Sequence, residues 1–249
     1  MMGICEVGVE ISWRSVGGDG TDTNQDYCGI GLRGDTVLCI VLDGATAKPQ
    51  SGELAQLIAR DLVDWFTSAK IRVSANDIVN QLRQIHIIRT RGLRWASASY
   101  LVVLIEPKRP IEILYAGDCL IGRYRTHGAI EWLIKPHTLA NAIRDLPLDE
   151  IIGSPLRNRL TRSFRATEFI SPDISILQGE GTTPLVIATD GFWAGMHDDA
   201  QRHFLEGADM PPNGIVDDCS TLMIRRLASD KPALIRPSAA ENLYLVRSG

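Results

Sequence analysis

Three apolar, strand-like runs of this chain have acidic residues at one end. They are residues 39–42 before Asp43-Gly44, residues 185–189 before Asp190-Gly191, and residues 219–224 after Asp217-Asp218. An unpaired buried carboxylate costs roughly several kcal/mol unless a cation or a partner neutralises it, so packing alone does not explain this pattern. The sequence predicts that the acidic ends meet around metal ions.

Composition and charge limit the class of protein. The chain has 249 residues, of which 45% are hydrophobic and 22% charged, as in ordinary globular proteins. Large single domains often reach about 200–250 residues, so we expect one domain over residues 1–249. The formal net charge of -4 gives no basic stripe of the kind that nucleic-acid binding needs, and no nucleic-acid partner is expected.

Targeting signals are not evident in the sequence. Residues 1–6 lack the charged start and apolar core of a secretory signal. The longest uninterrupted apolar run, residues 100–105, is far shorter than the roughly 20 residues of a membrane span. The cysteines are scattered without a CxxC pair, so neither disulfides nor a zinc site is expected: Cys5, Cys28, Cys39, Cys119 and Cys219. We predict a cytoplasmic protein with no membrane partner.

Hydrophobic periodicity predicts strands near both ends of the chain and helices between them. The predicted helices are residues 54–66, 78–85 and 198–205, and the predicted strands are residues 7–13, 27–32, 36–42, 99–105, 111–116, 119–124, 129–134, 174–177, 185–189 and 220–225. Ser74 and Asp77 are spaced to cap the second helix. The four runs from residue 99 to 134 are interpreted as an antiparallel meander. The predicted class is α+β, with antiparallel sheets and helices packed outside them.

Five acidic motifs follow one another in a set order. They are the loop at residues 21–27 (Thr-Asp-Thr-Asn-Gln-Asp-Tyr), Leu42-Asp43-Gly44, Ala116-Gly117-Asp118, Ala188-Thr189-Asp190-Gly191 and Asp217-Asp218-Cys219-Ser220. In this order the chain resembles the bacterial-type, metal-dependent type 2C protein serine/threonine phosphatases (the PPM family). The resemblance covers about residues 7–226 and leaves residues 228–249 as a C-terminal extension. It implies two antiparallel β-sheets packed as a sandwich and flanked by helices (α-β-β-α).

The resemblance also implies a site and a reaction. Hard cations such as Mg²⁺ and Mn²⁺ take oxygen ligands, and two such ions can activate a shared water for attack on a phosphate ester. The implied enzyme hydrolyses phosphoserine or phosphothreonine of a protein and opposes a kinase. The ligands it assigns are Asp43 as the bridge, the Gly44 carbonyl on the second ion, Asp190 and Asp218 on the first ion, Asp26 through a water, and Asp118 on a looser third ion. Asp43, Asp190 and Asp218 are the implied catalytic residues.

Two departures from the family pattern leave alternatives open. Thr21 stands where an arginine that binds phosphate is common, and Ala45 stands where many members have a histidine. Arg14 and Lys48 are the remaining candidates to contact phosphate. A second hypothesis is therefore a weak or inactive pseudophosphatase that serves as a binding or regulatory module. A phosphatase of anti-sigma-factor antagonists is a third, although such proteins usually carry sensory domains.

The other polar residues near these motifs are assigned supporting roles. Gly117-Asp118 lies between two predicted strands, so a plain turn competes with a metal role for Asp118. Asp217 is interpreted as a cap or a solvated neighbour of Asp218, and Asn24 as a residue that shapes its loop. Ser97 and Ser99 are expected to pack closely, and all five histidines are expected in surface or structural roles.

Overall fold

The structure is a computed structural model that describes residues 8–19, 23–178, 182–208, 216–227, 233–236 and 240–248. Cys5 and Thr21 lie outside the described residues, as do parts of the C-terminal extension. In chain order the elements are β1 (Val9–Val16), β2 (Asp26–Arg33), β3 (Thr36–Gly44), α1 (Ser51–Ser68), α2 (Ala75–Arg89), β4 (Ser97–Ile105), β5 (Ile111–Ala116), β6 (Leu120–Tyr124), β7 (Ile130–Trp132), α3 (Leu139–Ala142), α4 (Leu148–Ile152), β8 (Phe164–Arg165), β9 (Asp173–Leu177), β10 (Leu185–Ala188), α5 (Asp190–Trp193), α6 (Asp198–Leu205), β11 (Cys219–Arg226), β12 (Leu234–Ile235) and β13 (Leu243–Ser248).

These strands form two sheets that pack face to face. One sheet has the order β12-β1-β11-β10-β6-β7, and the other has the order β13-β2-β3-β4-β5-β9 with β8 beside β4. Alternate residues such as Ile11 of β1, Ile30 of β2 and Ile187 of β10 are fully buried in the layer between the sheets. Most pairs are antiparallel, as predicted, but β12 is parallel to β1 and β13 is parallel to β2.

Helices cover the outer faces of both sheets. The stripe of Leu54, Ile58 and Leu62 along α1 is buried against the β13-to-β9 sheet, because residues four apart lie on one helical face. On the other side, Arg14 points outward from β1 and lies 4.5 Å from the ring of Phe204 in α6. The predicted α-β-β-α sandwich is therefore confirmed. Within the described residues, no helix is long and apolar enough to cross a membrane.

The predicted cap of α2 is confirmed. The Asp77 N–H donates to Ser74 Oγ at 3.4 Å, and the Ser74 N–H donates to Asp77 Oδ2 at 2.9 Å. Both side chains thus satisfy backbone N–H groups that the first turn of a helix leaves without an intrahelical partner. The reciprocal pair fixes the start of the helix after Ser74.

The predicted meander is wrong at its centre. β4 pairs with β5, and β6 pairs with β7, but β6 lies in the opposite sheet and has β10 as its other neighbour. The chain changes sheets at Gly117, whose φ is +121°. A Cβ atom added there would lie 2.3 Å from Ser99 Oγ. Only glycine fits this left-handed, crowded position. The crossing leaves Asp118 between the two sheets.

The C-terminal extension is held beside the first motif, at Asp26. β13 runs parallel to β2, with Leu243 opposite Cys28. Just before it, Asn242 Nδ2 donates to Ser15 Oγ at 2.7 Å and to the Asp26 carbonyl at 2.9 Å, and Asn242 Oδ1 accepts from Trp13 Nε1 at 3.1 Å. One carboxamide therefore links the extension to β1 and β2.

Candidate metal centre

Strand pairing brings the predicted acidic residues to one end of the sandwich. Asp26 in β2 lies opposite Asp43 in β3, and Asp43 lies opposite Ser99 in β4. In the other sheet, Asp190 begins α5 just after β10, and Asp218 directly precedes β11. The carboxylates of four motifs thus come from neighbouring strand ends of both sheets.

A buried hydrogen bond joins the two sheets at this end. Thr189 Oγ1 donates to Asp26 Oδ2 at 2.9 Å, and the Ser220 N–H donates to Thr189 Oγ1 at 3.0 Å. The other carboxylate oxygen, Asp26 Oδ1, is buried and has no hydrogen-bond partner among the described residues. A buried acceptor without a donor costs about 1–3 kcal/mol, and more if it is charged. This oxygen is therefore suited to a water or a cation.

The carboxylates at this end of the sandwich form a cluster in which they repel one another. Its members are Asp26, Asp43, Asp118, Asp190, Asp217 and Asp218. Burial raises the pKa of Asp43 well above its usual range, and the charges of Asp190 and Asp26 raise it further. Burial, followed by the charges of Asp118 and Asp217, raises the pKa of Asp190 to about 7, although Asp190 also hydrogen-bonds to Asp43. Close carboxyl groups in a low-dielectric site cannot all ionise unless positive charge is supplied. The cluster thus favours protons or cations.

Asp118 is held rigidly instead of sitting in a plain turn. Ser99 Oγ donates to Asp118 Oδ1 at 2.5 Å, and Trp193 Nε1 donates to the Asp118 carbonyl at 2.8 Å. Burial is the main cause that raises the pKa of Asp118, and the hydrogen bond from Ser99 opposes it. Ser99 therefore does more than pack closely, because it fixes one oxygen of the carboxylate.

His137 clamps the peptide before Asp118. The backbone N–H of His137 donates to the Gly117 carbonyl at 2.8 Å, and the backbone N–H of Gly117 donates to the ring atom His137 Nδ1 at 3.2 Å. With Nδ1 as an acceptor, Nε2 carries the proton and donates to Asp173 Oδ2 at 3.2 Å. The ring also stacks on Tyr115 with centroids 5.0 Å apart. The structural role of His137 is therefore to hold the Gly117 peptide, and with it Asp118, in place beside the cluster.

The two oxygens of Asp218 are occupied by backbone donors. The Gly18 N–H donates to Oδ1 at 2.9 Å, and the Gln25 N–H donates to Oδ2 at 2.6 Å. Asp218 thereby ties the loop before β2 to the start of β11. Burial is the first cause of its raised pKa, and both hydrogen bonds lower it.

Burial raises the pKa of Asp26 and the charge of Asp218 raises it further, so both members of the acidic pair act on the cluster. Asp217 acts on more of the carboxyl groups. Its Oδ1 accepts from the Asp218 N–H at 3.0 Å and from Thr46 Oγ1 at 3.3 Å. Its charge adds to burial in raising the pKa of four other carboxyl groups, those of Asp43, Asp118, Asp190 and Asp218. The sequence-based interpretation of Asp217 as a solvated neighbour therefore understates its position.

The two basic residues proposed from the sequence lie in different places. Arg14 covers the ring of Phe204 and donates to the Ala208 carbonyl on the outer face of its sheet, so it does not reach the cluster. Lys48 follows Asp43-Gly44 in the chain, and its Nζ donates to Ser97 Oγ at 3.1 Å. Lys48 is therefore the better placed of the two.

A second cation near the cluster is Arg157, which the sequence did not single out. Its charge lowers the pKa values of both Asp118 and Asp190 against the effect of burial. It lies in the irregular segment after α4. No motif or periodicity marks such a residue, because only the fold of this segment brings it to the site.

The donor set fits hard divalent cations. The cluster offers carboxylate and backbone oxygens, which Mg²⁺ and Mn²⁺ prefer, and the partnerless Asp26 Oδ1 is one of them. In the described part of the chain, no three acidic, histidine or cysteine side chains are placed to hold one ion together. Mg²⁺ commonly keeps several waters and needs only one or two protein carboxylates, so pairs of carboxylates are consistent with such binding.

Comparisons with known proteins agree with this architecture. A sequence profile described as Protein phosphatase 2C matches residues 19–212. The serine/threonine phosphatase Stp1 from Staphylococcus aureus shares the fold with a TM-score of 0.75 at 17% identity, over 89% of this chain and 97% of that chain. The phosphatase MsPP from Mycobacterium smegmatis, in complex with cacodylate, gives 0.71 at 20% identity, over 87% and 97%. The catalytic domain of the phosphatase PstP, in complex with two manganese ions, gives 0.68 at 15% identity, over 87% and 97%.

The family follows from the profile, which spans most of the chain. This chain belongs to the protein phosphatase 2C family, a family of metal-dependent phosphoprotein phosphatases, so the predicted family is confirmed. At these low identities the solved structures show a common fold. No curated protein matches the sequence significantly.

Proposed function

We propose that this protein is an active, Mg²⁺- or Mn²⁺-dependent phosphatase for phosphoserine and phosphothreonine in proteins. The observation that supports it best is the convergence of mutually repelling carboxylates from both sheets, with Asp26 Oδ1 lacking a donor among the described residues. Asp26, Asp118 and Asp218 are buried, and Asp43 and Asp190 are half-buried. Such a cluster is costly without bound cations. A phosphorylated protein is the substrate class that the family implies, and a kinase acting on the same substrate is the proposed opponent.

The ions, when bound, supply an activated water and positive charge for the phosphoryl oxygens. We assign their ligands to Asp43 as the bridge, the Gly44 carbonyl, Asp190, Asp26 and Asp118, the last for a looser third ion. From the remaining motif we assign Asp217 in place of Asp218, because Asp218 uses both oxygens to hold backbone N–H groups. Lys48 and Arg157 draw the phosphate dianion toward the cluster.

Domain organisation and location are part of the same proposal. The extension contributes β12 and β13 to the two sheets, which supports one domain over residues 1–249. The described cysteines are all free thiols, as is usual in a reducing compartment, and this supports the cytoplasm.

Hydrolysis of an aryl phosphate and of a phosphothreonine peptide tests this function. We expect turnover that requires Mn²⁺ or Mg²⁺, that stops with a chelator, and that falls at least 100-fold, roughly, in Asp43→Asn and Asp190→Asn. Asp145→Asn is the matched control, since within the described residues that exposed carboxylate pairs with Lys135 alone. Metal-independent turnover, or full activity in both site variants, would refute the proposal.

The pseudophosphatase remains the second candidate. It predicts Mn²⁺ binding by calorimetry without turnover of either substrate. The same preparations therefore separate the two functions.

A further inference from the structure

A polar groove of about 820 Å³ opens beside the carboxylate cluster. This is within the usual size of ligand sites. Its walls are the loop after β3, the first turns of α1, the loop before β2 and the segment that leads into β13. The lining residues include Gln25, Thr46, Lys48, Glu53, Gln56 and Glu241. The groove is thus built in part by the C-terminal extension.

The inner end of the groove is continuous with the cluster. Gln25 and Thr46 line the groove, and both also hydrogen-bond to the acidic pair that precedes β11. The Gln25 N–H donates to Asp218 Oδ2 at 2.6 Å, and Thr46 Oγ1 donates to Asp217 Oδ1 at 3.3 Å. A chain lying in the groove therefore runs directly to the site.

Charge is divided along the groove. Lys48 is its lining cation, and its contact with Ser97 places it near the strand that carries Ser99. Glu53 and Glu241 are its lining carboxylates. Glu53 accepts only a long 3.4 Å hydrogen bond from Gln50, and in the described part of the chain no ion pair involves either glutamate.

A nearby arginine does not neutralise these carboxylates. Arg60 lies on the next turn of α1 and interacts with the Tyr27 hydroxyl, and it covers the ring of Tyr244 at 5.1 Å. It is not part of the groove lining. The two glutamates thus remain available to a cationic group in the groove.

Resting on the proposed function, we propose that this groove binds the peptide segment beside the phosphorylated residue of a protein substrate, and that Glu53 and Glu241 select lysine or arginine in that segment. The phosphate lies at the inner end, toward Lys48 and the cluster. The side-chain amides of Gln50 and Gln56 offer donors and acceptors to an extended backbone. The anionic phosphate is attracted to Lys48 and the cationic side chain to Glu53 and Glu241, so the charges place the two groups at opposite ends of the groove.

Matched phosphopeptides test the inference. Two fluorescent phosphothreonine peptides are compared that differ only in arginine or glutamate at the flanking positions on both sides. Dissociation constants are measured by anisotropy with a chelator present, so that no turnover is needed, and kcat/KM is measured with Mn²⁺. We expect the arginine peptide to be favoured by about four- to 25-fold, since each of the two exposed charge pairs contributes roughly two- to fivefold.

Substitution of the two glutamates tests whether they cause the preference for the arginine peptide. Glu53→Gln and Glu241→Gln should each reduce the ratio between the two peptides by about two- to fivefold, and the double variant should abolish it. Glu206→Gln, on the far side of the other sheet at the end of α6, is the matched control and should keep the ratio. The ratio is taken within one preparation, so partial loss of folding cancels.

Equal affinity for both peptides, or an unchanged ratio in the double variant, overturns the inference. Aryl phosphate hydrolysis by the unsubstituted protein reports the proposed function separately. If the aryl phosphate is hydrolysed and the peptides are not distinguished, only the groove assignment fails. If neither is hydrolysed but the arginine peptide binds preferentially through Glu53 and Glu241, the groove assignment stands and the phosphatase proposal fails.

Discussion

The carboxylate cluster should make the metal-free protein less stable as the pH rises. The pKa of Asp190 is about 7 in the fold against an ordinary 3.8. The folded state therefore holds this proton more tightly than the unfolded state does, and the associated stability is complete below pH 3.8 and is lost as the pH rises through 7. At 1.36 kcal/mol per pH unit, the full difference is on the order of 4 kcal/mol, of which about 3 kcal/mol disappears between pH 5 and pH 8.

Urea unfolding with a chelator measures this effect directly. Free energies of unfolding are compared at pH 5 and pH 8 for the unsubstituted protein, for Asp190→Asn and for the control Asp145→Asn. The isosteric amide cannot ionise, so Asp190→Asn should lose the part of the pH dependence that Asp190 contributes, about 3 kcal/mol between pH 5 and pH 8, and should be the more stable protein at pH 8. The other carboxyl groups with raised pKa values keep their own contribution in every variant. His137, whose burial lowers its pKa, acts in the opposite direction, but it is present in every variant and cancels in the comparison.

Added Mn²⁺ should reverse the trend. Cations that bind the ionised cluster stabilise the fold by mass action, and they bind better as protons leave. Stability in excess Mn²⁺ should therefore hold or rise from pH 5 to pH 8, and Asp190→Asn should lose most of this gain. The reasoning is refuted if the metal-free protein is equally stable at both pH values, or if Asp190→Asn keeps the slope of the unsubstituted protein.

Three further substitutions test how the cluster is supported. Gly117→Ala should cost about 2–4 kcal/mol of unfolding free energy in urea, because it strains a left-handed residue and collides with Ser99; a cost below 0.5 kcal/mol, roughly, would contradict the crossing. Asn242→Ala should cost about 2–3 kcal/mol through its lost contacts to Asp26 and β1, with Asn242→Asp restoring little since a carboxylate cannot donate. His137→Phe should keep the ring stack but weaken Mn²⁺ binding by calorimetry about 10-fold, whereas unchanged affinity would leave the clamp without a role in metal binding.

Local patterns in the sequence account for much of the fold. The four-residue spacing of Leu54, Ile58 and Leu62 specifies the buried face of α1 without any knowledge of its partner. The hairpin turn after Arg33 likewise sets the register that places Asp26 opposite Asp43, because pairing propagates from the turn with a fixed side-chain period. The order of the acidic motifs was enough to identify the family, and the profile match confirms it.

The sequence alone determined the longer helices, most strands and which carboxylates are candidates, but it did not predict the positions of β8, β12, β13 or the short helices α3 to α5. The tertiary structure decided which carboxylates face one another. Neighbouring residues such as Asp217 and Asp218 are equivalent in pattern. Only their contacts show that both oxygens of Asp218 accept from backbone N–H groups, whereas Asp217 accepts from the Asp218 N–H and from Thr46. The change of sheet at Gly117 and the approach of Arg157 are equally invisible to periodicity. Each depends on contacts between residues far apart in the chain, whereas periodicity records only which face of a single element is buried.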